Sequence, residues 1–208
     1  MNVNNEWFLK RVFAGYVRDF ARFRWHTTCT YADLTQASLA HFADLGRSLG
    51  YVVKREATEG VRPDLVGTGA GGSNPRDLIW VDPDDRAMVA LHVESENNRA
   101  SLDDCLFSNN KLLDSAEYRD GRLLVAVFGW LSEPDFDSLV GRIKETEGYS
   151  GRDLLVIAWV GSSKNTAASA RALLWSGNQC QMRIASGRLD DDGYWGVNFG
   201  SESPWRRL

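Results

Sequence analysis

Apolar positions set the first part of the chain apart. From residue 5 to about 25, Phe8, Leu9, Val12, Phe13, Tyr16, Val17, Phe20 and Phe23 recur at intervals of three and four, the period of one helix face. The same period predicts a second helix from residue 31 to about 49. Its apolar side carries Leu34, Ala37, Leu39, Phe42 and Leu45, and Gly50 supplies the stop. The pattern then shortens. A strand is predicted over 51–56, a loop rich in Gly, Pro, Ser and Thr over 57–76, and strands over 77–82 and 88–96. A Pro-Asp-Asp-Arg turn joins the last two as a hairpin.

Beyond the hairpin, Ser101 caps a predicted helix to about 115, with Asp103 and Asp104 in the first turn, where the helix dipole favours acids. Residues 123–129 and 154–160 are unbroken apolar runs, the pattern of strands buried on both faces. Another helix is predicted between them, from 135 to about 147. The tail reads as two or three further strands, with 171–175, 179–186 and 195–199 as the candidates, an acidic turn at 190–193 and a plain C-terminus, 205–208, expected to fray. This order predicts an α/β fold: one domain over residues 1–208, with a mixed central β-sheet flanked by helices, an N-terminal helix and a C-terminal β extension.

Composition narrows the class without naming a function. The 208 residues are 43% hydrophobic and 25% charged, the balance of an ordinary globular protein. There is no apolar run of the roughly 20 residues that span a bilayer, and no basic-then-apolar leader. The expectation is a cytoplasmic protein with no membrane partner. A net charge of −4 argues against a generic DNA-coating role but leaves room for a local basic surface. Cys29, Cys105 and Cys180 are far apart and show no CxxC spacing; buried thiols are expected. His26, His41 and His92 are too scattered for a histidine zinc site.

The carboxylates carry the chemistry. Glu94 and Glu96 close an apolar strand, and strand alternation sends both to one face. Two like charges there repel unless something positive lies between them, and a hard divalent cation such as Mg²⁺ or Mn²⁺ suits an all-oxygen site. Asp77 opens the neighbouring strand of the hairpin and can lie close to the pair. Such a cation activates water and stabilises charge on a phosphate.

In this arrangement the chain resembles the PD-(D/E)xK (restriction-endonuclease-like) nuclease superfamily. Its core is helix, three strands, helix and strand, with an aspartate on the second strand and (D/E)xK on the third. Here the match runs from about residue 31 to 160, some three fifths of the chain, and Glu94-Ser95-Glu96 resembles the ExE variant of some restriction enzymes. Glu94 follows Asp77 by 17 residues, an interval within the family's range. Two features depart from the family pattern. Glu96 replaces the usual lysine, and no PD dipeptide precedes the strand; Pro63-Asp64 lies in the loop.

The resemblance implies a Mg²⁺- or Mn²⁺-dependent endonuclease hydrolysing nucleic acid, DNA foremost, in defence, restriction or DNA processing. Asp77, Glu94 and Glu96 are the implied metal ligands. Lys111, on the following predicted helix, either replaces the motif lysine or is a solvated helix lysine. Glu56, with Glu59 as a more distant candidate, is either the additional acid or a solvated loop charge. Cutting both strands of a duplex would favour a homodimer. The alternative is a catalytically inactive module of the same fold that binds nucleic acid or a protein partner.

Other features have two readings each. Arg11, Arg18 and Arg22 share one face of the first helix, either as a stripe that tracks a nucleic-acid backbone or as a solvated face. Asn97 and Asn98 either contact substrate or form a turn. The Gly-rich stretch 67–72 lacks the Lys-Ser/Thr of a P-loop and is expected to be a loop beside the site.

Overall fold

The computed structural model describes residues 4–55, 77–85, 89–96, 123–145, 153–161, 168–177, 179–200 and 203–208. Helix α1 (Asn5–Asp19) starts at an Asn4 cap whose side chain accepts the Trp7 N–H. Its apolar stripe, Leu9, Val12, Phe13, Tyr16 and Val17, is buried as the period predicts. The helix ends sooner than expected. A 3-10 turn (Phe20–Phe23) follows, and Arg24 at φ 48° turns the chain away. The break tucks Trp25 into the core against Trp159, with ring centroids 5.8 Å apart, a position a straight helix would not reach. Helix α2 (Tyr31–Ser48) opens on a Thr30/Asp33 capping box, and Gly50, at φ 90°, lies just beyond its end.

The strands β1 (Val52–Arg55), β2 (Leu78–Val81), β3 (Val89–Glu96), β4 (Leu123–Leu131), β5 (Asp153–Val160), β6 (Ser169–Ser176), β7 (Gln179–Leu189) and β8 (Trp195–Asn198) lie side by side in chain order. The β3–β4 and β4–β5 pairs are parallel, and the other neighbours are antiparallel. This is an α/β fold on a mixed, largely antiparallel sheet. Helix α3 (Glu133–Glu145) connects the parallel β4 and β5. It begins two residues before the predicted start because Ser132 caps it, its hydroxyl accepting the Asp135 N–H. The helix expected over 101–115 and the loop expected over 57–76 lie outside the described residues.

The sheet is covered on both faces. On one, α1 and α2 pack over Val53, Leu78, Trp80, Leu91, Val93, Val125, Leu155 and Trp159; on the other, Phe136, Leu139 and Ile143 of α3 pack over Leu124, Ala126, Val156 and Ala158. The expected C-terminal fraying does not occur. A short strand β9 (Arg206–Arg207) pairs with β7, and the Leu208 N–H donates to the Cys180 carbonyl at 3.0 Å. Trp205 anchors this end by packing edge-on against Phe13, centroids 5.9 Å apart, beneath the Lys10 ammonium. Cys180 is buried and Cys29 half-buried, and Cys105 lies outside the described residues. No helix among the described residues is long and apolar enough to cross a membrane.

Trp80 joins the α2 layer to the sheet. Its indole N–H donates to the Phe42 carbonyl at 3.0 Å, and a Cβ at position 46 would lie 2.5 Å from that same nitrogen. Since Trp80 is fully buried, Gly46→Ala has nowhere to expand and is expected to cost about 1–3 kcal/mol. Gly15, inside α1, has open space where its Cβ would be, so Gly15→Ala should stabilise by about 0.5–1 kcal/mol. Urea denaturation of the two variants should therefore give shifts of opposite sign; equal shifts would contradict the packing described.

His41 supplies a second test. Burial pushes its imidazole below the ordinary value and Arg18 and Arg22 act the same way, against the opposing pull of Asp19 and Asp44. The folded state thus holds His41 neutral, whereas the unfolded chain takes up its proton near pH 6.5. The stability this contributes is present above about pH 6.5 and is lost as pH falls toward the lower folded value. In denaturation at stepped pH, His41→Gln should be less acid-sensitive than wild type between about pH 7 and 5. An unchanged slope would rule out this source.

Candidate metal centre

The β2–β3 register positions the acids. Leu78 faces Val93 and Ile79 faces His92, so continuing the ladder one residue sets Asp77 level with Glu94. A hydrogen bond ties the two strand ends: the Ser95 backbone N–H donates to an Asp77 carboxylate oxygen at 2.8 Å. Alternation assigns the faces. Val93 belongs to the α2 side, while Glu94 is in register with Ala126, which packs under α3. Glu94 is only 2% exposed. A carboxylate so thoroughly removed from water needs hydrogen bonds, a counter-charge or a cation.

Of the sequence candidates, Asp77 and Glu94 are therefore brought together. Glu96 is in backbone register with Phe128, two residues further along β3. Its side chain, and all of Glu56, Asn97, Asn98 and Lys111, lie outside the described residues. Among the described residues no three His, Cys, Asp or Glu side chains gather as a metal cluster. The two acids placed here still fit a hard cation: both offer oxygen, and Mg²⁺ is commonly held by one or two carboxylates with water completing its shell.

The arginines lie elsewhere. Helix α1 packs against β5, β6 and β8 on the α2 side of the sheet, so its outer surface does not converge on Glu94. Arg11 lies over the Trp7 ring at 5.2 Å, and the Arg18 and Arg22 side chains, 79% and 82% exposed, flank Asp19. Pairs this exposed hold little energy.

Two residues near the acids escaped the sequence reading. Lys54 is in register with Ile79, which in turn faces His92, so Lys54 and His92 occupy the row beside Asp77 and Glu94 on the α3 side. Lys54 is half-buried and His92 is 3% exposed. The alternation His92, Glu94, Glu96 was the available signal for the histidine. For Lys54 the signal was its place between Val53 and Arg55, and it became meaningful only once the strand pairing was known.

No family model matches the chain, and no curated protein matches it. Among solved structures, the chain is similar to the central domain of yeast acetyl-CoA carboxylase at 13% identity and a TM-score of 0.37. That match covers 79% of this chain and 26% of the other, and at such distance it carries neither fold nor function across.

If the paired acids hold a cation, Mn²⁺ should raise the melting temperature of the wild type and EDTA should reverse the rise. At about 100 times the dissociation constant the gain is about 2.7 kcal/mol. Glu94→Gln should lose most of it, as read by thermal denaturation with and without Mn²⁺. The same Mn²⁺ response in both proteins would place the cation elsewhere.

Proposed function

We propose that the chain is a metal-dependent nuclease of the restriction-endonuclease-like kind, hydrolysing phosphodiester bonds in nucleic acid, DNA foremost. The observation that carries this reading is the pairing of Asp77 with Glu94 at adjacent strand ends, tied through the Ser95 N–H. The element order supports it: helix α2, the antiparallel β1–β2–β3 and a β4 parallel to β3 agree with part of the core that the resemblance implies, whose second helix falls outside the described residues.

In this reading Asp77 and Glu94, with Glu96, would hold Mg²⁺ or Mn²⁺. When bound, that cation supplies Lewis-acid stabilisation of phosphate charge and a more acidic water. The chain's own contribution is placement. The Ser95 N–H fixes one Asp77 oxygen, and burial around Glu94 keeps competing water from the carboxylate. Lys54, in the neighbouring row, is a cation available to the substrate phosphate in place of the missing motif lysine.

A second reading has one observation in its favour. The exposed arginines of α1 lie away from the acids, as in a module that binds nucleic acid without cutting it. Cleavage of plasmid and oligonucleotide substrates separates the two. The nuclease reading expects Mg²⁺- or Mn²⁺-dependent cutting, reduced by on the order of 100-fold or more in Glu94→Ala and in Asp77→Asn. Wild-type protein inactive on DNA and RNA, yet binding either in a salt-dependent way, would favour the module.

A further inference from the structure

On the opposite face of these same strands lies a second polar group of residues. Arg55 is in register with Leu78 and so projects to the α2 side, two positions after the buried Val53. Its Nε and Nη2 atoms are shut off from solvent, and neither has a hydrogen-bond partner among the described residues. The acids of α2 are engaged elsewhere: Asp33 binds Thr30 in the capping box, and Asp44 lies beside Arg47. Ser95 is on the same side as Arg55, in register with the core residue Val127, and is 7% exposed. Its hydroxyl also lacks a partner among the described residues.

Orphaned donors of this kind are costly unless a ligand completes them. The two unpartnered arginine nitrogens are also a particular pair. Nε and Nη2 form the side-on edge of the guanidinium, whose parallel N–H groups match two oxygens of a carboxylate or phosphate. Strands β1 and β3 are two spacings apart and Ser95 lies two residues beyond the Arg55–Leu78–Val93 row, a separation of roughly 12 Å that an arginine stem and a tetrahedral oxyanion together can bridge.

We infer that Arg55 and Ser95 form an oxyanion site for a phosphate group, on the α2 side of the strand ends that carry Asp77 and Glu94. The fork of Arg55 takes two phosphate oxygens and the Ser95 hydroxyl donates to a third. Ser95 thereby has a double place in the Glu94-Ser95-Glu96 segment: its N–H holds Asp77, and its hydroxyl serves the anion on the other face. The choice of phosphate over other oxyanions rests on the proposed nuclease reading; the geometry of the donors does not.

The test is titration of inorganic phosphate into metal-free protein at constant ionic strength, followed by calorimetry and by the rise in melting temperature. Wild type should bind. Arg55→Lys, which keeps the charge and loses the fork, should weaken binding by about tenfold or more, and Ser95→Ala by a smaller factor. Arg55→Met should abolish binding yet fold as well as wild type, because it removes an unpaired buried charge. Undiminished phosphate affinity in both Arg55 variants, or no binding by wild type, overturns the site. Phosphate binding by a wild type that cuts no nucleic acid would support this site while removing the nuclease reading. Metal-dependent cutting by a protein that binds no phosphate would do the reverse.

Discussion

The pairing register of β2 against β3 is the constraint on which the rest of this structure depends. Side chains alternate across a strand, so a slip of one residue would carry Glu94 to the α2 side and bury Val93 under the other layer. Trp80 resists that slip. Its indole is bonded to the Phe42 carbonyl and seated where Gly46 has no side chain, so β2 has one position relative to α2. The Ser95 N–H bond to Asp77 fixes the far end of the same pair. Between these two anchors the acids have a fixed relation.

The second constraint is burial. Strands β4 and β5 are apolar on both faces and are crossed by helices on each side, which leaves β3 as the last parallel strand before the sheet becomes a meander toward β1. Polar side chains on β3 are thus far from water: His92, Glu94 and Ser95 are the buried polar residues of the sheet among those described. Groups placed at such a cost invite a functional account, and here they fall on two faces, with the acids on one and the Arg55–Ser95 donors on the other.

Much of the fold could be read from periodicity, because apolar runs and helix stripes report burial directly. Both buried strands, the candidate tail strands, the acidic turn and the stop at Gly50 emerge within a few residues of their predicted places. The errors occur where tertiary contacts override local pattern. The aromatic stripe of α1 continues past Asp19, but the packing of Trp25 on Trp159 bends the chain there. The Trp205–Arg-Arg end looks expendable in one dimension and is a strand in three, held by Phe13 and Lys10 from the other terminus. The candidate site was legible as far as each strand's own alternation goes, which gives Asp77 and Glu94. Lys54 and Arg55 needed knowledge of the partner strand, and the separation of the α1 arginines from the acids needed the layer order.

The proposed cation between Asp77 and Glu94 is the centre of the chemistry, and crystals soaked in Mn²⁺ address it most directly. Data collected at the manganese absorption edge should show an anomalous peak within coordination distance of both carboxylates, about 2.0–2.6 Å from their oxygens. A well-ordered site with no manganese between the two acids, and none bridging either to Glu96, would contradict it.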